Sequence, residues 1–238
     1  MDDEADNRLS RVRVLSGSGL SANEAENAEY ERNLVKVAVA GDSACGKTSI
    51  LRWLQLGECC VKVRATVAVD MVILRLHYPT GRRAKVVLYD MVGDDRFRPY
   101  QRCNMFGGIE GVMMVFDTKR PETFRSLAIW ERRLDLDNDE QRYRKVVCAN
   151  KSDLISDTAR RSELALSWSS DARTEHSAKY FWTSAKSGEN CVESLAYLVD
   201  RILRDRAKKE IIEHRNMRLE LGMPKEGLAE RRSKRCCS

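Results

Sequence analysis

No apolar run in this chain approaches the roughly 20 residues that a membrane-spanning helix needs. Its opening, MDDEADNRLS, has neither the basic nor the apolar part of a signal peptide. Both absences set the expectation of a protein on the cytosolic side of membranes. There the eight cysteines are expected to be reduced thiols, and those at 45, 59, 60, 103, 148 and 191 show no paired spacing of the zinc-ligand kind. A fold stapled by disulfides or zinc is thereby not expected. The three histidines, His77, His176 and His214, form no cluster, and none is assigned a role. Charge of one sign is also modest: a net +6 over 238 residues points to an anionic partner only where the charge is concentrated. What is present is enough apolar material, 42% of residues, for one buried domain with tails.

Residues 1–32 carry Ser, Gly, Asn and acidic side chains without periodicity and read as a disordered acidic arm. An ordered domain is expected over 33–206 and a basic helical tail over 207–238. Within the domain LVKVAVA (34–40) predicts a strand, followed by a Gly-rich turn and a helical pattern through Ile50, Leu51 and Leu54. Further strands are predicted at 69–78, 84–90, 111–117, 145–150 and 180–184, with helices near 121–134, 158–170 and 190–220. PTGRR between the second and third strands is a hairpin signal. The pattern predicts an α/β fold: a mostly parallel six-stranded sheet with one antiparallel edge strand and helices on both faces. Ligands of such sheets bind at the carboxyl ends of the strands.

The first strand runs into GDSACGKTS, residues 41–49, which fits G-x-x-x-x-G-K-[ST] through Gly41, Gly46, Lys47 and Thr48. Glycines let the backbone N–H groups of Asp42, Ser43, Ala44, Cys45 and Ser49 and their neighbours curl around phosphate oxygens. The helix that follows adds its positive end, Lys47 reaches the terminal phosphates and Thr48 supplies a magnesium ligand. Asp90 ends the third strand, where a carboxylate can hold magnesium through water, and Gly93 leaves its N–H free to approach a γ-phosphate. NKSD ends the fifth strand and TSAK the sixth. A carboxylate accepts both N1–H and the exocyclic amine of guanine, which adenine cannot offer, so Asp153 is the candidate base reader. Asn150 would hold the loop, Lys151 would lie against the ring, and the segment Ser184, Ala185 and Lys186 would meet O6 through the Ala185 backbone.

Taken in order, these motifs resemble the Ras superfamily of small GTPases, and within it the Rab branch, over residues 34 to about 205. The resemblance implies the P-loop small GTPase fold, GTP/GDP and Mg2+ as cofactors, and Lys47, Thr66, Gly93 and residue 94 as the catalytic set. Thr66 looks like the switch threonine that joins Thr48 and Asp90 at magnesium. It also implies effectors of the GTP state, an exchange factor, a GTPase-activating protein and a GDP-dissociation inhibitor as partners of a monomer, with no nucleic acid. Two departures stand out. Asp94 occupies the place of the usual Gln that orients the attacking water; an ionised Asp cannot donate a hydrogen bond and brings negative charge toward the γ-phosphate, so hydrolysis is expected to be slow. Cys59 replaces an aromatic ring over the guanine edge, so quick nucleotide release is expected. Ala68, Met71, Tyr89, Met91, Val92, Met105 and Phe106 also differ from the usual switch-surface residues. Cys45, in an electropositive nest, has either a lowered thiol pKa and a redox role or a small packing role.

The chain finishes RRSKRCCS. Cys236 and Cys237 resemble the double-cysteine endings that a prenyl transferase modifies with an escort protein. With Arg231, Arg232, Lys234 and Arg235 they imply a lipid anchor on the cytosolic face of an intracellular membrane. The functional expectation is a Rab-type switch in vesicle trafficking. The alternative is a non-cycling, GTP-bound scaffold or a divergent signalling GTPase outside the Rab branch.

Overall fold

The computed structural model of the chain describes residues 9, 11–16, 24–58, 70–93, 108–137, 143–155, 157–159, 161, 162, 164 and 178–220. Backbone contacts divide the chain into two units, Met1–Leu203 and Arg204–Ser238.

The first unit is built around β2 (Leu34–Ala40), whose last four residues are buried. A strand with parallel neighbours and helices on both faces requires that apolar, β-branched composition. β2 pairs in parallel with β4 (Arg83–Asp90) and β5 (Gly111–Asp117), β5 with β6 (Arg144–Asn150), and β6 with β7 (Lys179–Trp182). β3 (Asp70–His77) runs antiparallel to β4 through the expected turn, in which Gly81 takes a φ of 84°.

One face of the sheet packs Val35, Val37 and Val39 against Ile50, Leu51 and Leu54 of α2 (Lys47–Leu56) and Leu195, Leu198 and Val199 of α5 (Cys191–Glu220). The other packs Ala38, Ala40, Met114 and Phe116 against Phe124 of α3 (Pro121–Arg125) and Trp130 and Leu134 of α4 (Leu127–Asp137). Each large side chain buried in these layers contributes about 1.5–3 kcal/mol. The hairpin turn is tied down by Tyr78, whose hydroxyl donates to Ala196 O (2.9 Å), and by an Arg82–Asp200 ion pair (2.8 Å).

The N-terminal segment differs from the expectation of a disordered arm. Its described part contains β1 (Arg13–Ser16) and α1 (Glu24–Arg32). β1 pairs antiparallel with β3, Arg13 opposite His77 and Ser16 opposite Leu74, so among the described residues the sheet has seven strands in the order β1-β3-β4-β2-β5-β6-β7. The antiparallel strand β3 therefore stands second, and β1 holds the edge. Periodicity did not mark α1 because it buries a single side chain, Tyr30. Charge and one ring fix it instead. Arg83 meets Glu26 (2.7 Å) and Glu29 (3.3 Å), and Lys85 meets Glu31 (2.7 Å). Tyr30 stacks on His77 at 5.8 Å, lies 4.9 Å beneath the Arg75 guanidinium and hydrogen-bonds His77 Nε2 through its hydroxyl. These ion pairs are partly solvated, worth below about 1 kcal/mol each.

In the second unit the described residues, 204–220, are helical, with Ile211, Ile212 and Met217 exposed. Cys236 and Cys237 lie outside the described residues. Among those described, no helix is long and apolar enough to cross a membrane.

Candidate functional site

Because β2, β4, β5, β6 and β7 share one direction, their carboxyl ends meet along one rim of the sheet. Residues 41–46 leave β2 with two glycines and one alanine at positive φ: Gly41 (145°), Ala44 (61°) and Gly46 (96°). At Gly46 a side chain is impossible, since a Cβ would fall 2.2 Å from Asn150 Nδ2. Left-handed residues of this kind turn successive N–H groups into an anion-binding concavity. α2 then starts at Lys47 with Gly46 as its cap and no capping side chain, which leaves its first-turn N–H groups for a ligand.

Lys47 is buried, and its Nζ donates to Gly41 O (2.8 Å) and Asp42 O (2.9 Å). Burial pulls its pKa down, while Asp90, Cys45 and Asp42 oppose that shift. Asp90, buried at the end of β4, accepts a hydrogen bond from Thr48 Oγ1 at 2.5 Å. Ser49 follows in the first turn of α2, half-buried. Gly93 passes directly over the loop: a Cβ there would lie 2.4 Å from Lys47 Nζ and 2.6 Å from Ser43 N. A glycine three residues after Asp90 is thus dictated by close approach. A hydroxyl and a buried carboxylate beside an N–H nest form an oxygen donor set that fits magnesium bound with phosphate. Among the described residues no group of three or more His, Cys, Asp or Glu could hold a metal alone. Thr48 and Asp90 would therefore share the ion with phosphate oxygens.

NKSD and TSAK come together as a second loop pair. Asn150 Nδ2 donates to Cys45 O (2.7 Å), while Asn150 Oδ1 accepts from Ala185 N (3.3 Å). One buried amide thereby joins the phosphate loop, the end of β6 and the loop after β7. Asp153 Oδ1 accepts from Ser184 Oγ (2.6 Å), and Ser184 Oγ in turn accepts from Lys186 N (3.2 Å) and Ser187 N (3.3 Å). The Asp153 carboxylate is exposed yet held in one orientation. Lys151, at a φ of 65°, reaches Asp117 Oδ2 (2.7 Å).

Asp117, Arg120 and Trp130 were missed in the sequence, although Asp117 ends a predicted strand on the ligand rim. Burial pushes the Asp117 carboxyl up, but hydrogen bonds from Lys151, Lys119 N and Arg120 outweigh it and hold the pKa below the usual carboxylate range. Trp130 Nε1 donates to Asp42 Oδ1 (2.8 Å). The lowered thiol pKa considered for Cys45 is corrected: the side chain is fully buried and burial raises its pKa, outweighing Lys47 and Arg120. It packs in the core below the loop. Tyr89, Met91 and Val92 are buried, whereas Met71 is exposed. Thr66, Asp94, Cys59, Ala68, Met105 and Phe106 lie outside the described residues.

The family model of the Ras family matches residues 36–204. Human Ras-related protein Rab-32 is 32% identical over 190 residues, covering 78% of this chain and 82% of its own. Ras-related protein Rab-32A of Dictyostelium discoideum is 28% identical over 196 residues (80% and 87%), and rat Ras-related protein Rab-27A 29% over 180 residues (72% and 79%).

Proposed function

The chain belongs to the Ras family, and from that premise we propose that it is a GTP-binding switch of the Rab type acting in vesicle and membrane trafficking. The observation that carries this reading is Asn150, which ties the phosphate loop at Cys45 to the base loop at Ala185. Phosphate and base would then be gripped by one rigid assembly.

In the proposed complex the N–H groups of residues 42–49 and the Lys47 ammonium hold the phosphates. Thr48 and Asp90, joined by Thr66, would hold magnesium, which when bound would offset the negative charge of the phosphates. Asp153 accepts from guanine N1–H and the exocyclic amine, and Ala185 N–H donates to O6. Asp90 and Gly93 feel the γ-phosphate and transmit its loss to the switch residues, which effectors read. Asp94 supplies neither a neutral donor nor an orienting amide to the attacking water, so intrinsic hydrolysis is slow and a GTPase-activating protein is needed for cycling. An exchange factor reloads GTP, and a GDP-dissociation inhibitor and a prenyl transferase with its escort act on Cys236 and Cys237. Prenylation of that pair is read by intact mass of protein from a eukaryotic host; unmodified thiols there remove the anchor from the proposal.

Displacement of fluorescent GDP by GTP but not by ATP, followed by single-turnover hydrolysis of bound GTP in wild type and Asp94→Gln, tests the reading. We expect guanine selectivity and a rate roughly tenfold higher in the variant. ATP competing equally overturns it. GTP held unhydrolysed by both proteins points instead to the non-cycling scaffold that Asp94 makes the second reading.

A further inference from the structure

We infer that Arg120 is a positioning residue for the phosphate loop, setting how long a guanine nucleotide stays bound; this rests on the nucleotide reading above. Two carbonyls of the loop, those of Ser43 and Cys45, are held by side chains from elsewhere in the chain. Asn150 Nδ2 takes Cys45 O at 2.7 Å, and Arg120 Nη2 takes Ser43 O at 2.9 Å. A trans peptide is planar, so its N–H points opposite to its C=O. Holding the Ser43 carbonyl therefore aims Ala44 N–H away from Arg120, and holding the Cys45 carbonyl aims Gly46 N–H away from Asn150. Those N–H groups belong to the nest.

The loop needs this support because of what lies between the two carbonyls. Ala44 sits at a φ of 61°, a left-handed conformation that opposes an L side chain. Left unheld, the Ser43–Ala44 peptide would relax toward an ordinary conformation and its N–H would leave the nest.

Arg120 itself has little freedom. Its Nε donates to Asp117 Oδ2 (3.0 Å), on a carboxylate that is buried and also bound by Lys151 Nζ (2.7 Å) and Lys119 N (2.9 Å). Its backbone is fixed as well: Arg120 N donates to Asp117 O (2.9 Å), and Arg120 O accepts from Thr123 N (2.9 Å) and Thr123 Oγ1 (2.7 Å) at the start of α3. The guanidinium further lies 3.7 Å from Cys45 Sγ. One planar fork thus spans from the carboxylate beside the base loop to the crest of the phosphate loop. A lysine, with a single ammonium, cannot serve Asp117 and Ser43 in that geometry.

The experiment compares release of fluorescent GDP, in excess magnesium, from wild type, Arg120→Met and Arg120→Lys. Amide 15N–1H spectra of the GDP complexes accompany it. Loss of a charge-assisted hydrogen bond gives an expected acceleration of about tenfold in Arg120→Met, with Arg120→Lys close behind although it keeps the charge. The Ala44 amide resonance moves in both, while those of Val146 and Val199 in the sheet and α5 stay in place. Release within twofold of wild type in both variants overturns the inference. So does full rescue by lysine, which would make charge alone the cause, and so does movement of the core resonances with Ala44, which would make the defect a general loosening. Failure of the wild type to take up GDP overturns the nucleotide reading itself; normal wild-type uptake with unchanged variants overturns only the role of Arg120.

Discussion

Asn150 reaches Cys45 across 105 residues of sequence, its amide nitrogen 2.7 Å from the Cys45 carbonyl oxygen and buried with it. Its other side-chain atom takes the Ala185 N–H. Substituting Ala leaves a buried carbonyl and a buried N–H without these partners, at about 1–3 kcal/mol each. Asn150→Ala should weaken GDP binding by roughly a hundredfold, measured by calorimetry, and lower the urea midpoint. Asn150→Asp should do no better, because it keeps the acceptor for Ala185 but loses the donor to Cys45 and buries a charge. Near-normal GDP affinity in either variant would remove Asn150 as the link between the loops.

Arg83 carries the attachment of α1 through Glu26 and Glu29, with its own backbone N–H donating to Glu29 Oε1 (2.9 Å). Arg83→Glu places three carboxylates together. We expect roughly 1–2 kcal/mol of lost stability and faster tryptic cleavage between Arg11 and Arg32. Adding Glu26→Gln to that variant, which removes one of the three carboxylates without adding a tryptic site, should slow the cleavage again. Unchanged proteolysis in the single variant would show that Tyr30 and the Lys85–Glu31 pair hold the helix without Arg83.

The difference between Asn150 and Arg83 explains how much was legible in the sequence. Four of the five strands that share one direction, β2, β4, β5 and β6, were readable because each is an apolar run ending in at least four consecutive buried residues; β7, in which only Phe181 is buried, was readable as an aromatic run leading into TSAK. A motif such as NKSD can be recognised without knowing its contacts, since residue type and order carry the chemistry. β1 and α1 offered nothing comparable: β1 has four residues with none buried, and α1 buries only Tyr30. The attachment of α1 depends on Arg83 and Lys85, which have no reason in the sequence to be matched with Glu26, Glu29 and Glu31. Arg120 was invisible for the same reason, as its role depends on a loop carbonyl 77 residues away.

His77 should give the docked N-terminal segment a pH dependence. Burial, then Arg83 and Arg13, push its pKa below the ordinary 6.5, against the opposing pull of Glu26 and Glu29. The Tyr30 hydroxyl completes its surroundings by hydrogen-bonding His77 Nε2. The folded protein thus disfavours the protonated ring, and the unfolded chain binds more protons below pH 6.5. The contribution is full above that value and is lost as pH falls from it toward the folded pKa. Urea midpoints should decline more steeply as pH falls below 6.5 in wild type than in His77→Gln. Parallel curves for the two proteins would exclude His77 as the source.

Thr48 and Asp90 make the strongest case for a metal-dependent hold on nucleotide. The hydroxyl donates to Asp90 Oδ2 at 2.5 Å, so the pair is already assembled beside the loop. A magnesium ion there would draw its remaining ligands from phosphate and water, and its removal would leave the phosphate charges facing the buried Asp90 carboxylate. Chelation with EDTA should therefore speed GDP release from wild type by at least tenfold, since the loss of one charge-neutralising contact is worth upward of about 1.4 kcal/mol. Thr48→Ala removes a ligand while leaving Asp90 in place, and its GDP release should already be fast in magnesium and change little on chelation. Thr48→Ser keeps the hydroxyl and should respond to EDTA as wild type does. If all three proteins release GDP at one rate with and without EDTA, Thr48 and Asp90 hold no metal, and their hydrogen bond serves only to close the loop against β4.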